Sequence, residues 1–521
     1  MKLLLFIIGD YHREGRASVR VVHHRQLITS RDPVGEQSRS LARRTAQMTS
    51  RDKIAEAKLI TALRHELASP ASRHRIALEL RETAKLALPI VLTQFGQMAM
   101  MTTDLAFIGS LGAEAVAAAA LAGRMYLFSF IFGVGLLGAI VPLMAQAFGA
   151  NDLSLVRRAL RMGLWTALML SVPTMIVALR GEQILLAFGQ APDAARLSQE
   201  YLSGLAWGVA PALCFLAIRG FMSAVNRPEP ILWITLGAIP VNALLVYLLM
   251  YGKLGVPRFE LFGAGLATTL ANCVTLIAGL WLATMRHPFR NYHVLARLWQ
   301  FDWQLMRDLI LIATPISIAS LVGCGVSSAA VLLAGLIGTT VLAAHQIALQ
   351  VSSMLFMIPF GISMATAVRV GNAVGRHDRP GLKRAGLVGI LFGIVVTAAL
   401  TVPVVAARFE IAKFFLDQSG SDARATIGLA AKLIFVGATL YVSDAVQSIA
   451  AGGLAGLKDT RVPLLFAGIA YWLIGFSLSC VLSLMTGLGA IGIWIGLSLG
   501  KAVYALLLVL RFRRLANRLA V

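Results

Sequence analysis

From about residue 85 onward, the chain alternates between apolar runs near 20 residues long and short polar connections. Runs of that length match the thickness of a bilayer's hydrocarbon core at the rise of an α-helix. The pattern predicts twelve helices, at about 86–108, 115–147, 158–179, 200–222, 230–251, 261–284, 309–334, 341–372, 384–406, 430–454, 462–484 and 488–510. The second and eighth are long and contain Gly or Pro, so bending or tilt is expected in both. The expected fold class is an all-α polytopic membrane protein.

The connections sort by charge. Lys and Arg gather in alternate ones: Arg157 with Arg158, Arg227, the Arg286–Arg307 stretch, Arg376 to Arg384, Lys458 with Arg461, and the tail from Arg511 to Arg518. The intervening connections are poor in basic residues or mixed. Basic connections stay on the cytoplasmic side, so both termini are expected inside. The expected location is a bacterial inner membrane. Residues 1–84 read as a basic cytosolic arm, partly disordered, with helical pieces near Asp52–Leu67 and Arg73–Lys85. The first residues, Met1 to Ile8, make a weak signal peptide, because the run breaks at Gly9-Asp10 without a small-residue cleavage site. Met48 is an alternative candidate start.

Composition strengthens this reading and narrows the partners. The chain is 58% hydrophobic and 14% charged, with a mean hydropathy of +0.76; a soluble domain carries far more charge. The net charge of +22 belongs in cytoplasmic loops, so no nucleic acid is expected. Cys214, Cys273, Cys324 and Cys480 all lie in apolar stretches without CxxC spacing, which argues against metal ligation and a disulfide framework. There is no GxxxxGK[ST] loop, so ATP is not the expected energy source. No HExxH and no supported Ser/His/Asp set points to an enzyme. A monomer in contact with membrane lipid is expected.

The chain also repeats. A shift of 226 residues aligns its halves without a gap from Pro89 to Gly163. Pro89 falls on Pro315, Gly109 on Gly335, Gly112 on Gly338, Gly135 on Gly361, Gln146 on Asn372 and Gly149 on Gly375. Two six-helix lobes are therefore expected, residues 85–284 and 309–521, joined by a cytoplasmic linker at 285–308. Six helices per lobe make both lobes enter the membrane the same way, related by an axis along the membrane normal, with a substrate path between them. Asp104 and Asp444 are the only carboxylates clearly inside spans. An intramembrane acid costs about 2.5–3.5 kcal/mol even on lenient scales and by default marks an ion or substrate path. Asp104 falls opposite Ala330, so its charge is particular to one half.

Several stretches resemble one family. Met100 to Gly109, Val141 to Gly149, Tyr251 to Gly255, Ala343 to Leu349, Val368 to Asn372, Val442 to Gln447 and Gly456 to Asp459 are similar, in order, to multidrug and toxic compound extrusion (MATE) transporters of the NorM type. The resemblance covers roughly 85–510. It implies export of cationic, amphipathic compounds by alternating access, in exchange for Na+ or H+. Carried over residue by residue, it implies that Asp104 binds the coupling cation or proton, that Asp444 is the C-lobe acid, and that Asn242 is a polar residue of the N-lobe cavity. Asp104, with Asn242 and backbone carbonyls, is the candidate Na+ cage. NorM-type members often carry a glutamate eight positions after the seventh-helix proline; Gly323 stands there.

Other polar residues inside the spans admit two readings each. Arg124 is a candidate ion-pair partner of Asp104, and Arg219 a side chain that snorkels to the cytoplasmic face. His345 is a hydrogen-bonded packing residue or a proton carrier. Gln94, Gln97 and Gln346 line the cavity or tie helices together. Met101, Met354 and Met357 give an adaptable apolar lining or ordinary packing. The alternative cargo is a lipid-linked sugar, whose phosphates call for several basic cavity residues. A membrane-embedded lipid enzyme would need a nucleophile, base or metal cluster that the sequence does not present.

Overall fold

A computed structural model of the protein describes residues 70–518, apart from 254, 256 and 417–420. Most of the expected arm, including the helical piece at Asp52–Leu67 and Met48, lies outside the described residues. The described residues from Glu79 onward form one compact unit.

Membrane helices α1 to α6 are Pro70–Gly109, Ala113–Gly149, Leu153–Leu179, the pair Pro192–Ala206 and Val209–Ala224, Glu229–Tyr251, and Glu260–Met285. Helices α7 to α12 are Trp303–Ile337, Thr339–Gly375, Arg379–Ala406, Ser421–Gly456, Arg461–Met485 and Ala490–Arg518. Among the described residues, ten helices are long and apolar enough to cross a membrane, eleven with the bent pair of α4 counted as one. The twelfth is α1, whose apolar run is diluted by Thr93, Gln94, Gln97, Thr102, Thr103 and Asp104.

The irregularities match those expected only in part. Helix α2 is interrupted at Ala139, whereas α8 continues unbroken through Pro359. The sharp break is in α4, where the two pieces meet at 49°. Pro211 explains it: without an N–H it cannot bond the carbonyl four residues back, at Trp207, and its ring crowds that group. Helix α11 widens into π-helix over Gly468–Phe476 and Val481–Met485.

The repeat is visible in the backbone. Gly112 and Gly338 start α2 and α8 at φ 116° and 157°, values that only glycine adopts freely. Asn151 and His377 both turn at φ 57°. The next residues, Asp152 and Asp378, cap α3 and α9 by accepting from Leu155 N and Gly381 N, each at 2.9 Å. Asp378→Ala should lower stability by about 1 kcal/mol, the usual value of such a cap; thermal unfolding in detergent reads it, and an unchanged midpoint would refute it.

The lobes share a core at one end only. A single apolar cluster near the basic loops includes Leu136, Ile140 and Phe221 of the first lobe together with Ile362, Leu382 and Phe512 of the second. At the other end each lobe has its own clusters, around Ile108 and Met250 in the first and around Tyr441 and Trp494 in the second. At the joined end α2 and α8 cross so closely that a Cβ on Gly149 would strike the Asn372 backbone, and one on Gly375 the Gln146 backbone. The polar ties follow the same symmetry. Gln146 Nε2 donates to Gly456 O at 2.8 Å, and its repeat-mate Asn372 donates through Nδ2 to Asn226 Oδ1 at 3.1 Å. Arg369 of α8 adds an ion pair to Glu79 of α1 at 2.7 Å.

Candidate functional site

In the first lobe, three helices converge on Asp104. The short connection between α5 and α6 packs them as antiparallel neighbours, which brings Asn242 and Thr268 against α1. Asn242 Nδ2 donates to Asp104 Oδ1, and Thr268 Oγ1 donates to Oδ2 at 3.1 Å. Asp104 and Asn242 are buried, and Tyr201 of α4 lies within electrostatic reach. One helical turn away from each of the three contacts stand Ile108, Val246 and Ala264, all in one apolar cluster. That cluster seals the carboxylate on the side of the basic-poor loops. Both hydrogen-bond partners of Asp104 are neutral, so among the described residues its charge has hydrogen bonds but no counter-ion. Asn242 Oδ1 is buried without a partner of its own. The three residues thus present a carboxylate, an amide oxygen and a hydroxyl oxygen, the hard donor set that suits a small cation, or a carboxylate able to take a proton.

In the second lobe Asp444 of α10 is placed differently. Lys501 Nζ of α12 donates to its Oδ2 at 2.7 Å, and Gln447 Nε2 donates to its Oδ1 at 2.6 Å. Tyr471 OH of α11 donates to Gln447 Oε1 at 2.9 Å. The Tyr471 ring lies against Gly323, 3.4 Å from where a Cβ would stand. An aromatic ring therefore lies beside Gly323, the position where the resemblance leads us to expect a second acid, and an ammonium tethered to the protein neutralises the remaining one.

The other singled-out residues do not gather at Asp104. Arg124 is exposed and is not among the partners of Asp104, so the suggested ion pair is not formed. Arg219 does not snorkel: it is 8% exposed and donates through Nη1 to Gln94 Oε1 at 3.0 Å and to Gln97 Oε1 at 3.2 Å. Those two glutamines therefore tie α1 to α4. His345 is fully buried and accepts at Nδ1 from Trp494 Nε1 at 3.0 Å, an arrangement that places its ring proton on Nε2. Gln346 and Met357 are half-buried, and Met101 and Met354 are exposed. Thr268 and Lys501 were missed from sequence. Lys501 carried a signal, a lysine inside an apolar run; Thr268 carried none, since threonines recur throughout the spans and bond their own helix carbonyls.

The MatE family profile matches residues 89–248 and 315–481, two segments whose starts are as far apart as the halves of the repeat. The "Probable multidrug resistance protein NorM" of Bradyrhizobium diazoefficiens is 55% identical over 87% of this chain and 97% of its own length. The protein of the same description from Rhodopseudomonas palustris is 50% identical over 86% and 94%. Among solved structures, an outward-facing multidrug resistance MATE transporter superposes with a TM-score of 0.77 at 19% identity, covering 85% of this chain and 97% of the other. A eukaryotic MATE transporter, AtDTX14, gives 0.76 at 17% identity, covering 85% and 98%. With the twelve helices, the two-lobed repeat and these matches together, the chain belongs to the MATE family of membrane transporters.

Proposed function

We propose that this protein is a secondary antiporter that expels cationic, amphipathic compounds in exchange for an inward flow of Na+ or H+. The family and the relatives described as probable multidrug resistance proteins support the multidrug part. The coupling part rests on one contrast: Asp104 is held only by the neutral donors Asn242 and Thr268, whereas Asp444 is already paired with Lys501. The carboxylate without a counter-ion is the one that an exchanging cation has reason to bind. The work of coupling therefore falls on the first lobe.

The chemistry accommodates either ion. For Na+, turning the Asn242 amide brings its oxygen to Asp104 Oδ1, while Thr268 Oγ1 already meets Oδ2. For H+, a protonated Asp104 becomes a donor and the same turned amide accepts from it. Binding of either ion changes what Asn242 and Thr268 can bond, and so biases the packing of α1 against α5 and α6. Coupling follows when ion and cargo differ in affinity between the outward- and inward-open states. Because basic loops stay inside, the joined end of the lobes is the cytoplasmic one and both termini face the cytoplasm of a bacterial inner membrane. The lobes then part toward the outside.

Proteoliposomes loaded with a fluorescent organic cation test the reading. A Na+ gradient and a pH gradient are imposed separately, and at least one should accelerate efflux severalfold over passive leak. Efflux indifferent to both gradients would overturn antiport.

A further inference from the structure

Arg219 is a buried cation with donors to spare. It forms no ion pair among the described residues. Two glutamine oxygens hold Nη1, but they are neutral and leave the positive charge uncompensated. Arg219 Nε is buried without an acceptor, and so is the hydroxyl of Ser223, one turn further along α4. Ser223 is 1% exposed. Both residues border a cavity of about 10 Å³, walled by Thr93 and Gln94 of α1, Ile231 of α5 and Met364 of α8. The cavity therefore lies where the two lobes meet, and its wall on one side belongs to the opposite lobe.

A guanidinium edge and a hydroxyl, both unsatisfied and carried by residues that line one cavity, are the donor set for an oxyanion. Buried polar groups normally have partners, so the pair fits a guest that is bound for part of a cycle. We propose that Arg219 and Ser223 form an oxyanion subsite, which takes the carboxylate or phosphate of an amphipathic guest when the lobes separate at their joined end. Gln97, one of the two glutamines holding Arg219, lies on the same face of α1 as Asp104, two turns or about 10 Å away along the axis. A cargo molecule with a basic group at one end and an acidic group at the other would find complementary charge at both. An anionic lipid headgroup presents the same oxyanion chemistry. This subsite goes beyond the coupling reading, because it is tested by binding alone and does not depend on which ion drives transport.

The test uses the full chain in lipid nanodiscs and two forms of one xanthylium dye, the free carboxylate and its methyl ester. In discs of phosphatidylcholine, the wild type should bind the carboxylate form about tenfold more tightly than Arg219→Gln does, while both bind the ester equally. Equal ester binding shows that the variant is folded. Arg219→Lys should keep part of the preference. A lipid guest would show instead as phosphatidylglycerol retained by the wild type and lost from Arg219→Gln in native mass spectrometry, with phosphatidylglycerol in the disc competing against the carboxylate dye. Either pattern supports the subsite and names its source. The proposal is overturned if Arg219→Gln weakens both dyes alike, which makes Arg219 a tie between α1 and α4 only. It is equally overturned if neither dye preference nor lipid retention depends on Arg219.

Discussion

Asp104→Asn is expected to abolish ion-coupled export while the protein still folds and inserts. The substitution keeps the side-chain shape and a hydrogen bond to Asn242 or Thr268 but removes the charge that a coupling ion would bind. Two hydrogen bonds to an ionised carboxylate are worth about 1.5 kcal/mol or more each. An incoming ion must displace those donors, a loss offset only by the carboxylate's charge, so removing the charge should weaken ion binding at least a hundredfold, about 2.7 kcal/mol. Export of a toxic cation from a host stripped of its own pumps should fall to the level of the empty vector, at unchanged protein abundance in the membrane. Thr268→Val leaves the charge and removes one neutral donor, and should weaken coupling only about fivefold, in line with about 1 kcal/mol for such a bond. Full resistance in Asp104→Asn would remove this carboxylate from the mechanism.

Lys501→Met is expected to produce the largest loss of stability. It leaves Asp444 buried with Gln447 as its one remaining partner, and breaking a buried pair from one side typically costs about 3–5 kcal/mol. The double variant Lys501→Met/Asp444→Asn removes both charges and should return to within about 1–2 kcal/mol of wild type, because a neutral pair carries no stranded charge. Unfolding by graded SDS in mixed micelles measures all three. A single variant as stable as the wild type would show that the pair is not buried in the working protein. Asp444→Asn alone should impair export without abolishing it, since the first lobe retains its own acid.

These two residues also mark where sequence reasoning reached and where it stopped. Asp104 stood out because one charge in an apolar run is costly wherever the helix packs, and that cost is readable locally. Its contact with Asn242 was reachable only through family resemblance, because nothing in the run Ile239 to Asn242 says which helix it will meet. Thr268 lies 164 residues from Asp104 and looks like any other intramembrane threonine. Asp444 and Lys501 were both visible as charges, 57 residues apart, but not as a pair. Arg219 shows the reverse error: a long cationic side chain near a helix end reads as one that reaches for water, yet it lies against α1, 125 residues away at Gln94. The bend of α4 followed from Pro211, a local cause that was present in the chain; length together with Gly and Pro content had pointed to α2 and α8.

The sequence by itself determined the number of spans, the sorting of basic loops, the duplication and the identity of the two intramembrane acids. Each of these depends on run length, composition or a fixed offset along the chain, which are properties of neighbouring residues. Only the tertiary structure decided what each buried charge meets: neutral donors at Asp104, a lysine at Asp444, two glutamines and a small cavity at Arg219. In hydrocarbon a polar side chain must find its partner within the protein. Which of the many equivalent hydroxyls, amides and ammonium groups it finds is set by how helices far apart in sequence pack together.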